Sequence, residues 1–516
     1  MRRAQGSRVQ AHRSRLLRWD RSLMSCLVRQ VVRMIRTKQQ GLHVVRRRVH
    51  LDGSLGKAHD VVGGGGGGGS LSLAGLIFVG VGGIIGAGYF LGIGLSIQQA
   101  GPGILVGFLI GAVIMSQVLG AITSLAVNHP VAGSFRAYAQ EMFGPFLGYF
   151  QGWLYWLSSL LTVSSEAIAM AVFARVFVPH WPIWLLAFVF TAVVILLNAF
   201  GISAFTKIES LLAGFKIVAL VGFCAIVLLV GLSVIGGAGV HLEYLTARGG
   251  FLPHGLFGVL QSMLIVIFAY AGIGVVATAA TELRHPDDAG RAAIWVVLGL
   301  VVLYVGSLFA LLITVPWWAL GTSTSPFVYA LSAMHVQFVA DLFNVIILIA
   351  AFSVMAGALF SALLILRNMA HVHEAPHVLG SRARGWSYLG LAVTSLVSLL
   401  AIGVSYILPS QVYSYLISAS SYFTFFNWVV ILLAWRSWAQ REVQARRPFF
   451  RSAWLKGGSV ALWATIIAIV TLAAFSLGDA SQRMGGVAAL VLSILVVCGY
   501  PLARRSQANS AGSSTG

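Results

Sequence analysis

The sequence predicts an all-α polytopic membrane protein with twelve transmembrane helices, and three observations carry that reading. Of 516 residues, 58% are hydrophobic and 9% charged, where a soluble domain carries about 25% charged residues. The mean hydropathy is +0.88. Beyond residue 70, charge-free stretches recur between short charged loops, many of them reaching the about 20 apolar residues that a membrane crossing needs.

The first 60 residues hold 15 Lys/Arg against 3 Asp/Glu, which accounts for most of the formal net charge of +20. With the unbroken glycine run at 63–69, a flexible linker composition, segment 1–70 is predicted as a basic, flexible cytoplasmic tail. It has no signal-peptide apolar region and no nucleic-acid-binding motif, so no nucleic acid partner is expected. Residues 61–135 carry no charge, and Gln98-Gln99-Ala100-Gly101-Pro102-Gly103 divides them into span 1 (about 71–97) and span 2 (about 104–127). Spans 3, 4 and 5 cover about 146–176, 182–200 and 206–233. Spans 6, 7 and 8 follow at about 254–282, 291–315 and 338–368. The uncharged interval 385–435 holds spans 9 and 10, parted near Leu408-Pro409-Ser410. A basic cytoplasmic loop, 436–456, precedes spans 11 and 12 at about 457–478 and 485–503, and 504–516 is a cytoplasmic tail.

With the N-terminus inside, the loops on that side and the C-terminal tail carry fifteen Lys/Arg, against Arg175, Arg248 and Arg483 outside. Positive charge collects on the cytoplasmic side, so both termini are predicted to face the cytoplasm. Trp153, Trp156, Trp181, Trp184, Trp317 and Trp318 lie near predicted helix ends, as interfacial anchors do. Cys26, Cys224 and Cys498 are far apart and form neither a disulfide framework nor a CxxC site.

The chemistry centres on span 1, at Gly82-Gly83-Ile84-Ile85-Gly86-Ala87-Gly88. Glycine costs a helix interior about 1 kcal/mol against alanine, and broken backbone at membrane depth is tolerated only where it is buried in protein or lines a cavity. Span 6 has a second weak point at Ala271-Gly272-Ile273-Gly274. Paired interruptions point to an inverted repeat with a midplane binding site, here spans 1–5 (about 71–233) and 6–10 (about 254–435) with two further helices. An unwound span 1 offers N–H groups and a positive half-helix dipole to a carboxylate, and freed carbonyls to an ammonium group. The spacing of Gly82 and Gly86 also suits close helix packing. Gly83-x-x-Gly86-x-Gly88 lacks the βαβ context of a dinucleotide fingerprint.

The motif Gly82–Phe90 resembles the first-helix signature of the amino acid–polyamine–organocation permeases. The resemblance continues through Ala100-Gly101-Pro102-Gly103, Pro130-Val131-Ala132-Gly133-Ser134-Phe135-Arg136-Ala137-Tyr138 and Gly152-Trp153-Leu154-Tyr155-Trp156. Glu166, Asn198-Ala199-Phe200-Gly201 and Thr281-Glu282-Leu283-Arg284-His285-Pro286 extend it. It covers about 71–450 and is closest to the bacterial amino acid transporter subfamily. It implies a leucine-transporter-type fold and secondary amino acid transport in the plasma membrane, driven by protons or by exchange. On that resemblance Gly86, Ala87 and Gly88 receive the substrate carboxylate. Carbonyls at Ile84, Ile85, Phe268, Ala269 and Ala271, with Gly272 beside them, receive the ammonium, and Phe268 closes over the substrate. Many relatives carry an acidic residue where this chain has Gly274, which implies a small or neutral substrate rather than a cationic one. A polyamine carrier and a transporter-like amino acid sensor are the competing readings.

Two ionisable residues fall inside predicted spans, where such groups are functional by default. Lys216 lies about ten residues, roughly 15 Å, inside span 5. In proton-coupled relatives a lysine at the matching place takes the volume of a sodium ion, so Lys216 is expected to couple protons with Ser353 and Gly357 as neighbours. Glu166 in span 3 is the second proton-coupling candidate, the alternative being a carboxyl bonded to hydroxyls such as Ser164 and Ser165. His371, His373, Glu374 and His377 have metal-ligand chemistry, but Pro376 interrupts them and they lack the helical HExxH spacing. A solvated loop is expected there, with no metal and no cofactor. No nucleophile–base pair lies at membrane depth, so no enzyme activity is expected.

Overall fold

The computed structural model describes residues 72–131, 134–199, 203–232, 239–274, 276, 283, 288–380, 387–407 and 411–513. The predicted tail 1–70, the division at 408–410 and most of the 281–286 motif lie outside the described residues.

Within them the chain is helical, without a β-strand. The Ser72 hydroxyl accepts from Gly75 N at 3.1 Å and opens α1 (Leu73–Ile84). Ile85 and Gly86 are extended, and the chain resumes as a single turn, α2 (Ala87–Phe90), then α3 (Ile93–Ala100). Gly101, at φ +58°, reverses the chain into α4 (Ile104–Asn128). A Cβ on Gly101 would lie 2.4 Å from Pro253, so the turn needs glycine both for its dihedral and for close approach.

A ten-residue loop helix follows, α5 (Ser134–Phe143), and then α6 (Pro145–Ala174), α7 (Ile183–Ala199) and α8 (Ser203–Gly231). The second half contains α9 (Gly255–Ala269), α10 (Ala289–Thr314), the short α11 (Pro326–Ala333) and α12 (Gln337–His371). Last come α13 (Tyr388–Ile407), α14 (Val412–Gln444), α15 (Gly458–Ser476) and α16 (Ala480–Ser513). Among the described residues nine helices are long and apolar enough to cross a membrane, and α1, α7 and α9 are shorter apolar helices. The chain is thus a multi-pass membrane protein.

Three features differ from the sequence expectation. The helices α5 and α11 stand where loops were expected, because helices of ten and eight residues leave no signature in a span-length reading. The helix α14 runs through Arg436 and Arg441 to Gln444, past the start of the predicted basic loop. Trp156 and Trp317 are buried in the protein rather than exposed on its surface: Trp156 packs edge-on against Trp153, and Trp317 against His254.

The long helix α6 packs along α12 and α14, while α1 packs on α8 and α10. The α1–α8 approach explains one of the glycines. A Cβ on Gly82 would lie 2.1 Å from Ala213 Cβ and 2.5 Å from its Cα, so Gly82 serves helix packing.

Candidate functional site

A continuous helix would pair the carbonyls of residues 82–85 with the N–H groups of residues 86–89. The extended step at Ile85–Gly86 breaks those pairs in the interior, where Ile85 and Ala87 are at most 1% exposed. Buried backbone polar groups need partners. Two come from side chains at membrane depth. Lys216 Nζ donates to Gly82 O at 3.0 Å and to Ser353 Oγ at 3.1 Å, and the Ala87 N–H donates to Glu166 Oε2 at 3.1 Å. The ammonium group meets the negative end of one half-helix and the carboxyl group the start of the next turn, as the backbone charges require.

The remaining groups are not all occupied. Among the described residues, no hydrogen bond reaches the Ile84 and Ile85 carbonyls or leaves the Gly86 and Gly88 N–H groups. The break therefore holds acceptors and donors a few ångströms apart in an apolar surround, a match for a small molecule with an ammonium and a carboxylate.

The second interruption faces the first. The helix α9 ends at Ala269, two residues before the expected weak point, because Tyr270 N and Ala271 N turn back onto Ile267 and Phe268 carbonyls. A Cβ on Gly272 would lie 3.0 Å from Ile84 Cα and 3.3 Å from Gly83 O. The Phe268 ring lies over α2, its Cδ1 2.5 Å from the place of a Cβ on Gly88. Of the carbonyls assigned to an ammonium, Phe268 O already accepts from Ala271 N, and Ala269 O from the Tyr304 hydroxyl at 3.0 Å. Ile84, Ile85 and Ala271 keep theirs open among the described residues.

Ser353 is the neighbour expected for Lys216, and the two side chains are hydrogen-bonded. Glu166 is not held by Ser164 or Ser165. Those hydroxyls donate to the Leu160, Ser398 and Thr162 carbonyls, and the carboxyl group reaches the break instead. At Gly274 a Cβ would sit 3.5 Å from both the Phe135 ring and the Tyr155 hydroxyl, with the two rings stacked at 5.2 Å.

Tyrosine hydroxyls at the break escaped the sequence reading. Tyr413 donates to Ala87 O at 3.0 Å, and Tyr89, stacked on Tyr304 at 4.0 Å, donates to Tyr304 O at 2.8 Å. The one available signal was phenols in apolar spans, which need hydrogen-bond partners when buried.

The histidine segment starts at His371, the last residue of α12, and runs beyond it. There Glu374 is buried, and its Oε2 takes Arg136 Nη1 at 3.0 Å. Arg136 also donates to Asn368 at 2.7 Å and Gln140 at 2.6 Å. Burial pushes the Glu374 carboxyl above its usual range, with Arg136 opposing. The physical cause is visible in Oε1, which is buried and accepts no hydrogen bond among the described residues.

Comparison with known proteins places this arrangement in context. Residues 75–504 match the family described as amino acid permease. An uncharacterized amino acid permease of Bacillus subtilis, YtnA, is 34% identical over 359 residues, covering 69% of this chain and 77% of the relative. The aromatic amino acid transport protein AroP of Escherichia coli K12 is 32% identical over 69% of this chain and 78% of its own length. The L-asparagine permease of Streptomyces coelicolor is 31% identical over 84% of this chain and 90% of its own. Among solved structures, a manganese transporter of Eremococcus coleocola superposes with a TM-score of 0.55 over 84% of this chain and 95% of its own, at 14% identity. That likeness concerns the fold alone.

Proposed function

Because the chain belongs to the amino acid permease family and is an amino acid transporter rather than an enzyme, we propose that it is a twelve-span, proton-coupled permease. It imports a small or neutral amino acid across the cytoplasmic membrane by alternating access. Its core is a five-plus-five inverted repeat of the leucine-transporter type over 71–435, with both termini in the cytoplasm. The observation that carries this reading is the buried break between α1 and α2, with open Ile84 and Ile85 carbonyls beside open Gly86 and Gly88 N–H groups. A zwitterion satisfies both sets, Phe268 covers it, and its binding free energy is what shifts the equilibrium between outward and inward states.

Interruptions at the first helix of each half support the repeat, and the excess of Lys/Arg on one set of loops supports the orientation. Lys216, bridging the broken α1 to Ser353 of α12, is placed to link its protonation to movement of α1 against α12. Glu166, bound to Ala87 N–H, is the second proton-coupling group. The relatives' names span aromatic amino acids and asparagine, so they leave the side chain open. The absence of an acid at Gly274 favours a neutral substrate over a polyamine.

The test is uptake of amino acids into vesicles holding the purified protein, with and without an imposed pH gradient. The wild type accumulates substrate when the gradient is applied. A Lys216→Ala protein that responds to the gradient like the wild type refutes the coupling role. A purified protein that no common L-amino acid stabilises against heat refutes the permease reading.

A further inference from the structure

One end of α16 is unlike the rest of that helix. Only 6% of its most apolar stretch is buried, yet Gln482, in its first turn, is fully buried. Gln482 Nε2 donates to Gln99 Oε1 of α3 at 3.0 Å and to Gln261 O of α9 at 3.1 Å. A backbone carbonyl only accepts, so Gln261 O fixes which way the amide is turned. The amide oxygen Oε1 is then left buried, with no hydrogen bond among the described residues.

The helices that meet at this end form two bodies. The first is α3 with α9, which are the portions of spans 1 and 6 on one side of their interruptions. His254 Nδ1 donates to Gln99 O at 2.9 Å, and a Cβ on Gly258 would lie 2.3 Å from that same oxygen. The second body is α16 seated on α14. A Cβ on Gly485 would lie 2.5 Å from Ser418 Cβ, and Ser414 Oγ donates to Ser481 Oγ at 2.9 Å. Apolar contacts around them, such as Phe257 of α9 against Phe475 of α15, are non-directional and tolerate sliding. Among the described residues, the Gln482 bonds are the hydrogen bonds that run from α3 or α9 to α14, α15 or α16.

We propose that Gln482 is a positioning residue for transport, a latch on α16 that holds the α3–α9 pair against α14 and lets go when this end of the protein opens. The inference rests on the alternating-access reading, with the substrate at the break. Tyr413 of α14 reaches Ala87 O from one side of the break, and Phe268 of α9 lies over α2 from the other. Parting α9 from α14 therefore uncovers the break. Hydrogen bonds weaken steeply with distance and angle, so a small separation releases both donations of the amide together. The buried Oε1 limits how firmly the latch holds, since a dry acceptor costs free energy while the latch is closed and meets water once it opens. Spans 11 and 12 stand outside the five-plus-five core, and Gln482 gives the second of them a part in the cycle.

The test uses the full chain in lipid nanodiscs, with Cys26, Cys224 and Cys498 replaced by serine. Spin labels are placed on cysteines substituted for Leu256 of α9 and Gln411 just before α14, both exposed, and pulsed electron paramagnetic resonance reads their separation. Gln482→Leu keeps most of the side-chain volume and removes the donor. It should raise the ratio of long to short separations by about two- to tenfold, the worth of one hydrogen bond. Gln99→Ala removes one of the two acceptors at a partly exposed position and should shift the ratio the same way by less. A residue that only holds the fold would lower the melting temperature and leave the separations in the folded protein unchanged, and that result in both variants overturns the proposal. Adding an equimolar mixture of the twenty common L-amino acids tells the two levels apart. If neither the mixture nor the variants change the separation, the two bodies do not part, and the latch falls together with alternating access at this pair. If the mixture changes the wild-type separations while both variants match the wild type, the latch alone falls.

Discussion

Removing either partner of the Arg136–Glu374 pair should destabilise the protein, but only one of the two losses should depend on pH. The two side chains are 5% and 1% exposed and 3.0 Å apart, and deleting one member of such a buried pair costs about 3–5 kcal/mol. In Glu374→Gln the guanidinium is left buried and cannot lose its charge. It keeps Asn368 and Gln140 as acceptors, so the cost should sit near about 3 kcal/mol and stay flat with pH. In Arg136→Gln the survivor is a carboxyl that can take up a proton. Burial raises its pKa in the folded state, so the folded protein holds that proton more tightly than the unfolded chain, whose glutamate titrates near about 4.3. Stability is therefore greatest below about pH 4.3 and falls as pH rises through the folded value, by up to about 1.4 kcal/mol per unit. Thermal unfolding in detergent from pH 5 to 8 reads both effects: Arg136→Gln recovers on acidification and Glu374→Gln does not. The double variant should be less damaged than the two single variants added together. Single variants within about 0.5 kcal/mol of the wild type, or an Arg136→Gln protein with no recovery in acid, would refute this account.

Four further outcomes follow from the α1–α8 contact and from the geometry of the break. Gly82→Val should abolish folded protein on gel filtration, since its side chain would overlap Ala213. Ala213→Gly should recover Gly82→Ala only in part, because the backbone at position 213 still stands in the way of the new methyl group. Tyr413→Phe removes one donor from Ala87 O, which keeps the Leu91 and Gly92 N–H groups, and should cost about 0.5–1.5 kcal/mol of heat stability; an unchanged melting temperature would show that the hydroxyl is not used. Phe268→Ala uncovers α2 and should raise the amino acid concentration for half-maximal uptake; because the ring is buried, the cavity should also lower heat stability by about 3–5 kcal/mol.

The sequence made the spans legible because charge is scarce in lipid, and the first interruption because four glycines cluster between 82 and 88. Lys216 and Glu166 stood out for the same reason, as ionisable groups inside apolar runs. Ser353 was expected beside Lys216 and bonds to it, but the backbone partners of both groups were not legible. Which carbonyl a tyrosine hydroxyl reaches, as Tyr304 reaches Ala269 from 35 residues away, depends on helix packing that no local pattern encodes. The same holds for Glu166, whose nearest hydroxyls at Ser164 and Ser165 were the obvious local partners and turned instead to carbonyls. Gly82 looked like part of the break and serves helix packing, a distinction that only the 2.1 Å approach to Ala213 makes. The α9 end came two residues early because Tyr270 and Ala271 close a turn there that glycine at 272 merely follows.

The interrupted helix is capped by a pair of opposite charges, Lys216 at the carbonyl end and Glu166 at the amide end. An α-amino acid presents the same two kinds of charge. On the proposed reading the break recognises what all amino acids share. It follows that the break contributes little to the choice among side chains. That choice falls to groups around it which do not touch the backbone charges. Phe135 and Tyr155, stacked beside Gly274, are the first to examine, because a side chain at 274 would come into contact with the Phe135 ring and the Tyr155 hydroxyl. Gly274→Asp should then bring an anion to the Tyr155 hydroxyl and shift preference toward cationic amino acids. Competition by L-lysine against uptake of L-asparagine or L-phenylalanine would measure it. Unchanged competition would place selectivity elsewhere on α6, α9, α12 or α14.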